Sequence, residues 1–245
     1  MIERAIELGL EGMCFTEHED IDSPDTEFTF LIDFESYFPH MLELREKYRG
    51  RIQIGIGMEL GFQPHLTDVL NALPKKYPFD FVIASCHYVN GKDPYYPPYF
   101  EGRKESDCYE EFFSEQLRTL KMLSDYDTLG HMDYVVRYGP NKNKFYSYKE
   151  YADYIDPMLR HLIENGKCLE LNSGGYRHGL GNPNPSVDIL RRYRELGGEL
   201  VTIGSDAHAP QQLCYDFDKA EAVLTELGFK YYTVFENRKA QQVRI

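Results

Sequence analysis

Seven short apolar runs, each preceded by a stretch of helical character, constrain this chain more than any other feature. The runs are 12–15, 51–60, 79–87, 128–131, 168–171, 201–203 and 231–235. Helical spacing of apolar residues occupies 1–10, 34–48, 66–73, 109–126, 148–165, 185–196 and 218–227, with Gly166 a C-cap for the fifth. Strands alternating with helices of this length predict βαβ units and a parallel sheet. The polar loops follow strand C-termini, where barrels carry their sites. No glycine-rich phosphate fingerprint follows the first strand, which argues against a doubly wound sheet. A length of 245 residues without a composition break reads as one domain, 1–245, of α/β barrel type.

The strand ends carry a second pattern. His18, Glu59, His87, His131, Asp206 and His208 each lie at or just past the end of a predicted strand. Parallel strands deliver such residues to one rim, and imidazole with carboxylate suits zinc, manganese or iron. Val201 to Ile203 reads as a buried strand. In an extended segment Asp206 and His208, two apart, would face one pocket. A lone strand-end histidine is usually structural, but six such residues together are hard to ascribe to packing.

His40, His65 and His161 fall in or beside helical segments and read as surface or structural residues. His178 stays open. Asp20 and Asp133, each two residues after a candidate histidine, are either orienters of the imidazoles or loop-capping residues, the second being favoured. Arg177 lies in the Gly-rich loop 172–179. It is read equally as a bidentate phosphate holder or as a solvated loop residue.

A formal charge of −13 argues against a general grip on nucleic acid. The sequence has no apolar run long enough for a membrane span. The five cysteines, Cys14, Cys86, Cys108, Cys168 and Cys214, form no C-x-x-C pair and read as free thiols of a reducing cytoplasm. Cys86, adjacent to His87 on a strand, should face the opposite side.

Taken in order, Thr16-Glu17-His18, Gly57-Met58-Glu59, Ser85-Cys86-His87, Gly130-His131-Met132-Asp133 and Gly204-Ser205-Asp206-Ala207-His208 resemble the PHP (polymerase and histidinol phosphatase) superfamily. Together with Asn172-Ser173-Gly174-Gly175, they look most like its histidinol-phosphatase branch. The resemblance implies a distorted TIM-like (β/α)7 barrel with two or three divalent ions (Zn, Mn or Fe) at its C-terminal rim. Glu59, His87 and His131 would hold one ion. Glu59 would bridge to a second shared with Asp206, and His18 and His208 would belong to a third. It also implies hydrolysis of L-histidinol phosphate, a small phosphorylated metabolite, in histidine biosynthesis. A metal-activated water would be the nucleophile, Arg177 would bind substrate, and His208 or His18 would be candidates for the acid.

The chain departs from that family at its start. No histidine precedes His18 and no strand precedes residue 12, so the chain as given starts just after the family's first strand and its His-x-His motif: either the protein begins upstream or this is a shortened form. The expectation for the chain as given is incomplete metal binding and weak or no activity. Two alternatives are a phosphoesterase acting on another phosphorylated substrate and a non-catalytic metal-binding remnant.

Overall fold

The computed structural model describes residues 1–25 and 29–245. Its parallel strands are β1 (Gly12–Glu19), β2 (Gln53–Gly61), β3 (Phe81–Ser85), β4 (Thr128–Leu129), β5 (Cys168–Asn172) and β6 (Val201–Gly204), hydrogen-bonded in that order. Helix α1 (Ile2–Glu7) precedes them, and α2 (Phe34–Lys47), α3 (Thr67–Ala72), α4 (Glu105–Leu120), α5 (Ala152–Glu164), α6 (Gly174–Arg177), α7 (Val187–Glu195) and α8 (Phe217–Glu226) intervene or follow. Each expected strand from 12 to 203 forms, as do the expected helices, within a few residues at their ends. Gly166 closes α5 as expected. It adopts φ 63°, while its amide reaches the Ile163 carbonyl and the Lys167 amide reaches that of Leu162. This is the Schellman pattern. The Gly-rich stretch, read as loop, contains the single helical turn α6.

The sheet is curled into a half-barrel. Thr128 on β4 and Thr202 on β6 sit 3.0 Å apart through their hydroxyls although β5 lies between them. Only a strongly curved sheet brings side chains of next-nearest strands into contact. The apolar residues of β3, Val82 and Ala84, continue into Cys86 and belong to the core under the helices. Ser85 and His87 point to the opposite, concave side, as period-two alternation requires.

The run 231–235 does not extend the parallel sheet. It forms β7 (Tyr231–Glu236), which pairs antiparallel with β8 (Lys239–Arg244) in a separate two-stranded sheet. Asn237 and Arg238 both have positive φ, 49° and 61°, as a two-residue type I′ hairpin turn needs. The tip of this hairpin docks under the sheet. The Asn237 amide donates to Asp80 Oδ1 at 3.0 Å, and Arg238 donates to Asp127 at 2.6 Å and Asp125 at 2.9 Å. Asp80 and Asp127 precede β3 and β4, so the hairpin braces the N-terminal rim, opposite the metal-capable residues. All five cysteines are free. Among the described residues no helix is long and apolar enough to cross a membrane.

Candidate metal centre

Register places the first two candidate ligands side by side. β1 and β2 pair with His18 opposite Glu59. β3 then supplies Ser85, whose hydroxyl donates to Glu59 Oε1 at 2.6 Å, and His87 two residues on. His131 follows β4. Its Nε2 lies 3.0 Å from Glu59 Oε1, His87 Nε2 lies 3.2 Å from the same oxygen, and the two nitrogens are 3.4 Å apart. All three residues are buried. A tetrahedral zinc ion with bonds near 2.0–2.1 Å separates its ligand atoms by roughly 3.3 Å. The triangle therefore matches one face of such a site.

His18 Nε2 approaches the second Glu59 oxygen at 3.8 Å. Glu59 thus faces three imidazoles, one oxygen toward His87 and His131 and the other toward His18. This is the arrangement a bridging carboxylate requires.

Asp20 decides between its two readings. Its Oδ1 meets His87 Nδ1 at 2.9 Å and its Oδ2 meets His18 Nδ1 at 3.1 Å. It is an orienter of two rings, against the favoured loop-capping reading. With Nδ1–H committed to Asp20, each ring turns Nε2 toward Glu59. His18, Asp20 and His87 also form a metal-capable group. The group around Glu59 fits an ion better, because Asp20 already accepts both Nδ1 protons. Asp133, by contrast, does cap: it accepts from Asn184 Nδ2 at 2.5 Å and from the Ser186 amide at 2.9 Å.

The electrostatics follow the same contacts. Burial disfavours the charged form of Glu59, but His18, His131 and His87 outweigh it and hold the carboxyl well below its usual range. Burial also opposes a charged His87, yet Asp20 and Glu59 raise its pKa well above the ordinary imidazole value. A proton and a divalent cation thus compete for the same atoms. Metal affinity should fall as pH drops through the raised pKa of His87.

Asp206 and His208 are not two inward-facing neighbours of an extended segment. Asp206 has φ 51°, in the left-handed region, so the alternation that would align them is broken. Asp206 is turned inward, and its Oδ2 accepts from Arg137 Nη1 at 2.5 Å. Burial would raise its pKa, but Arg137 and His131 keep it well below the usual value. His208 stays exposed, with its ring 5.9 Å from that of His18. Arg177 is partly buried, and its Nη2 donates to the Asp206 carbonyl at 2.7 Å. Neither Asp206 nor His208 joins a metal-capable group among the described residues.

Two buried residues complete the centre without having been singled out in the sequence. Arg137 also donates to Asn184 Oδ1 at 2.7 Å and Asn172 Oδ1 at 3.0 Å. Glu170 accepts from the His131 amide at 2.8 Å. Burial raises the pKa of Glu170, and contact with His131 offsets this in part. Its sequence signal was available: a glutamate in the middle of an apolar strand. Arg137 carried a weaker one, an arginine directly after Val135-Val136.

Glycines make room for these carboxylates. A Cβ on Gly204 would lie 2.2 Å from Glu170 Oε1, and one on Gly130 would lie 2.4 Å from the Ser85 hydroxyl. At Gly61 it would fall 1.6 Å from Asp20 Oδ1 and 2.7 Å from Asp20 Cγ. Gly61→Ala should therefore displace Asp20 and weaken zinc binding by about 10- to 100-fold, the usual cost of losing an imidazole orienter. Zinc titration of a variant with unchanged circular dichroism checks this. Wild-type affinity would show that Asp20 does not orient the rings.

A PHP domain model matches residues 1–174. The chain is 30% identical over 242 residues to a histidinol-phosphatase of Lactococcus lactis, covering 97% of this chain and 88% of that protein. It is 32% identical over 222 residues to a probable histidinol-phosphatase of Clostridium acetobutylicum, covering 89% and 84%. Among solved structures, it superimposes with a TM-score of 0.90 and 29% identity on histidinol phosphate phosphatase from Lactococcus lactis, in complex with zinc, L-histidinol and phosphate. That match covers 98% of this chain and 90% of the other. A putative histidinol phosphatase from Listeria monocytogenes shares the fold at a TM-score of 0.75 and 20% identity, covering 89% and 92%.

Proposed function

Since the chain belongs to the PHP domain family, we propose that it is a metal-dependent phosphomonoesterase that hydrolyses L-histidinol phosphate to L-histidinol and phosphate, a step of histidine biosynthesis. The observation that carries this reading is the triangle of Glu59 Oε1, His87 Nε2 and His131 Nε2, with edges of 3.0, 3.2 and 3.4 Å. Glu59, His87 and His131 would hold one divalent ion, and the free side of Glu59 with His18 would serve a second. Such ions supply positive charge that activates water near neutral pH and polarises phosphoryl oxygens.

The remaining residues position and transfer. Asp20 fixes the tautomers of His18 and His87. Arg177 brings cationic charge to the rim beside the Arg137–Asp206 ion pair, where it would bind the phosphoryl oxygens. Hydrolysis breaks the bond from phosphorus to the ester oxygen, forms one to water oxygen, and delivers a proton to the departing alkoxide. His208 is the better proton donor of the two candidates. It is exposed at the rim, whereas His18 lies between two carboxylates. The free cysteines support a cytoplasmic location.

Phosphate release should be measured on zinc- or manganese-loaded protein with histidinol phosphate, sugar phosphates and dinucleotides. Histidinol phosphate should be preferred, and a chelator should abolish turnover until metal is restored. Elemental analysis of the same sample tests the expectation of incomplete metal binding. No release from any phosphomonoester by fully loaded protein would overturn the proposal.

A further inference from the structure

One carboxylate at the mouth of the centre has no role in holding metal. Asp93 lies in the loop after β3, half-buried. Its Oδ1 accepts from the Tyr95 amide at 2.7 Å and from the Tyr134 hydroxyl at 3.3 Å. No basic side chain forms an ion pair with it among the described residues, unlike Glu59, Asp20 and Asp206. Burial pushes its pKa up to about 6, against the backbone amide of Tyr95 and the charge of His87.

The Tyr134 ring relates Asp93 to the rest of the site. Its centroid is 5.4 Å from that of His87 and 5.0 Å from that of His131. The Arg137 guanidinium lies 5.6 Å from the same centroid. One ring thus touches the proposed metal ligands and a buried cation, while its hydroxyl reaches a carboxylate. The site has two sides: Arg177 stands beside the Arg137–Asp206 ion pair on one, and Asp93 marks an anionic side across the Tyr134 ring from Arg137. Tyr138 and Tyr95 extend the aromatic wall outward on the Asp93 side, 5.0 Å and then 5.2 Å from ring to ring.

We infer that Asp93 is a specificity-determining residue that binds a protonated amine of the substrate, so that the site selects phosphomonoesters with a cationic group a few bonds from the ester oxygen. This rests on the reading of the site as a phosphomonoesterase. An anionic phosphoryl group settles toward Arg177. A substrate ammonium then meets the carboxylate, which keeps Oδ2 for a charge-assisted hydrogen bond. The tyrosine faces favour a cation at the same place. Neutral phosphomonoesters gain nothing from Asp93.

The test compares zinc-loaded wild type and Asp93→Asn on L-histidinol phosphate and on p-nitrophenyl phosphate, which has no amine. Losing one charge-assisted bond should lower kcat/KM for histidinol phosphate by about 10- to 100-fold, mostly through KM. Hydrolysis of p-nitrophenyl phosphate should stay within about twofold, which also reports intact folding and metal loading. Asp93→Glu should recover part of the loss. Equal losses on both substrates, or none on either, would overturn the inference. Calorimetric binding of L-histidinol to the two loaded proteins gives a readout independent of turnover: unchanged affinity in Asp93→Asn likewise defeats it. A wild type that cleaves p-nitrophenyl phosphate but not histidinol phosphate instead defeats the functional reading.

Discussion

Replacing Glu59 by glutamine should reduce phosphate release by more than about 100-fold, because changes to residues that merely orient a metal ligand already cost 10- to 100-fold. Among the described residues, Glu59 is the one carboxylate paired with His18, His87 and His131 together. Glutamine preserves the shape and can still accept from Ser85 Oγ, so the packing term is small. It loses the negative charge that offsets up to two divalent ions. It also turns an NH2 group toward one of the imidazole Nε2 atoms, where a donor meets either a lone pair needed for metal or another donor. The measurement is turnover together with bound zinc per chain. A mild effect on both would remove Glu59 from the bridging role and leave the triangle of ligands without its centre.

Asp20→Asn should be the second most damaging conservative change. Both carboxylate oxygens are used, one by each histidine Nδ1. An asparagine offers one acceptor and one donor in the same place. Whichever ring meets the NH2 group must present an unprotonated Nδ1 and therefore carry its proton on Nε2, on the side facing Glu59. One of the two rings is thereby lost as a ligand. Zinc affinity and turnover should fall together by about 10- to 100-fold. Asp20→Glu should not restore them, since Gly61 leaves space for a carboxylate at one depth only. Zinc competition against a chromophoric chelator reads the affinity directly. An unchanged value would mean that the rings are held by packing alone.

Much of this architecture was legible because the strands announce themselves. Runs such as Phe79–His87 are apolar, short and bounded by loops, and they end on the residues the site uses. His18, Glu59, His87 and His131 converge as expected, because parallel strands leave no other rim for them. The features that escaped depend on backbone conformation or on distance across the fold. Asp206 is turned by a left-handed φ that no periodicity predicts. Arg137 finds Asp206 from 69 residues away. Asp20 could be assigned only once its two partners were in place. β8 escaped for a different reason: Lys239 to Arg244 is almost wholly exposed and has no apolar face to betray a strand.

The terminal hairpin separates two properties that are often entangled in enzymes. The hydrogen bonds of its tip lie at the rim where β3 and β4 begin, and the side chains proposed to do chemistry lie where those strands end. Consecutive strands pair with their neighbours in sequence, so the sheet can grow as the ribosome delivers it. Asn237 and Arg238 instead reach back 157 and 111 residues, to Asp80 and Asp127. Contacts of such separation form late. During synthesis the ligand-bearing rim would be assembled before its counterweight exists, and metal could be captured by a chain still unsealed at the other end.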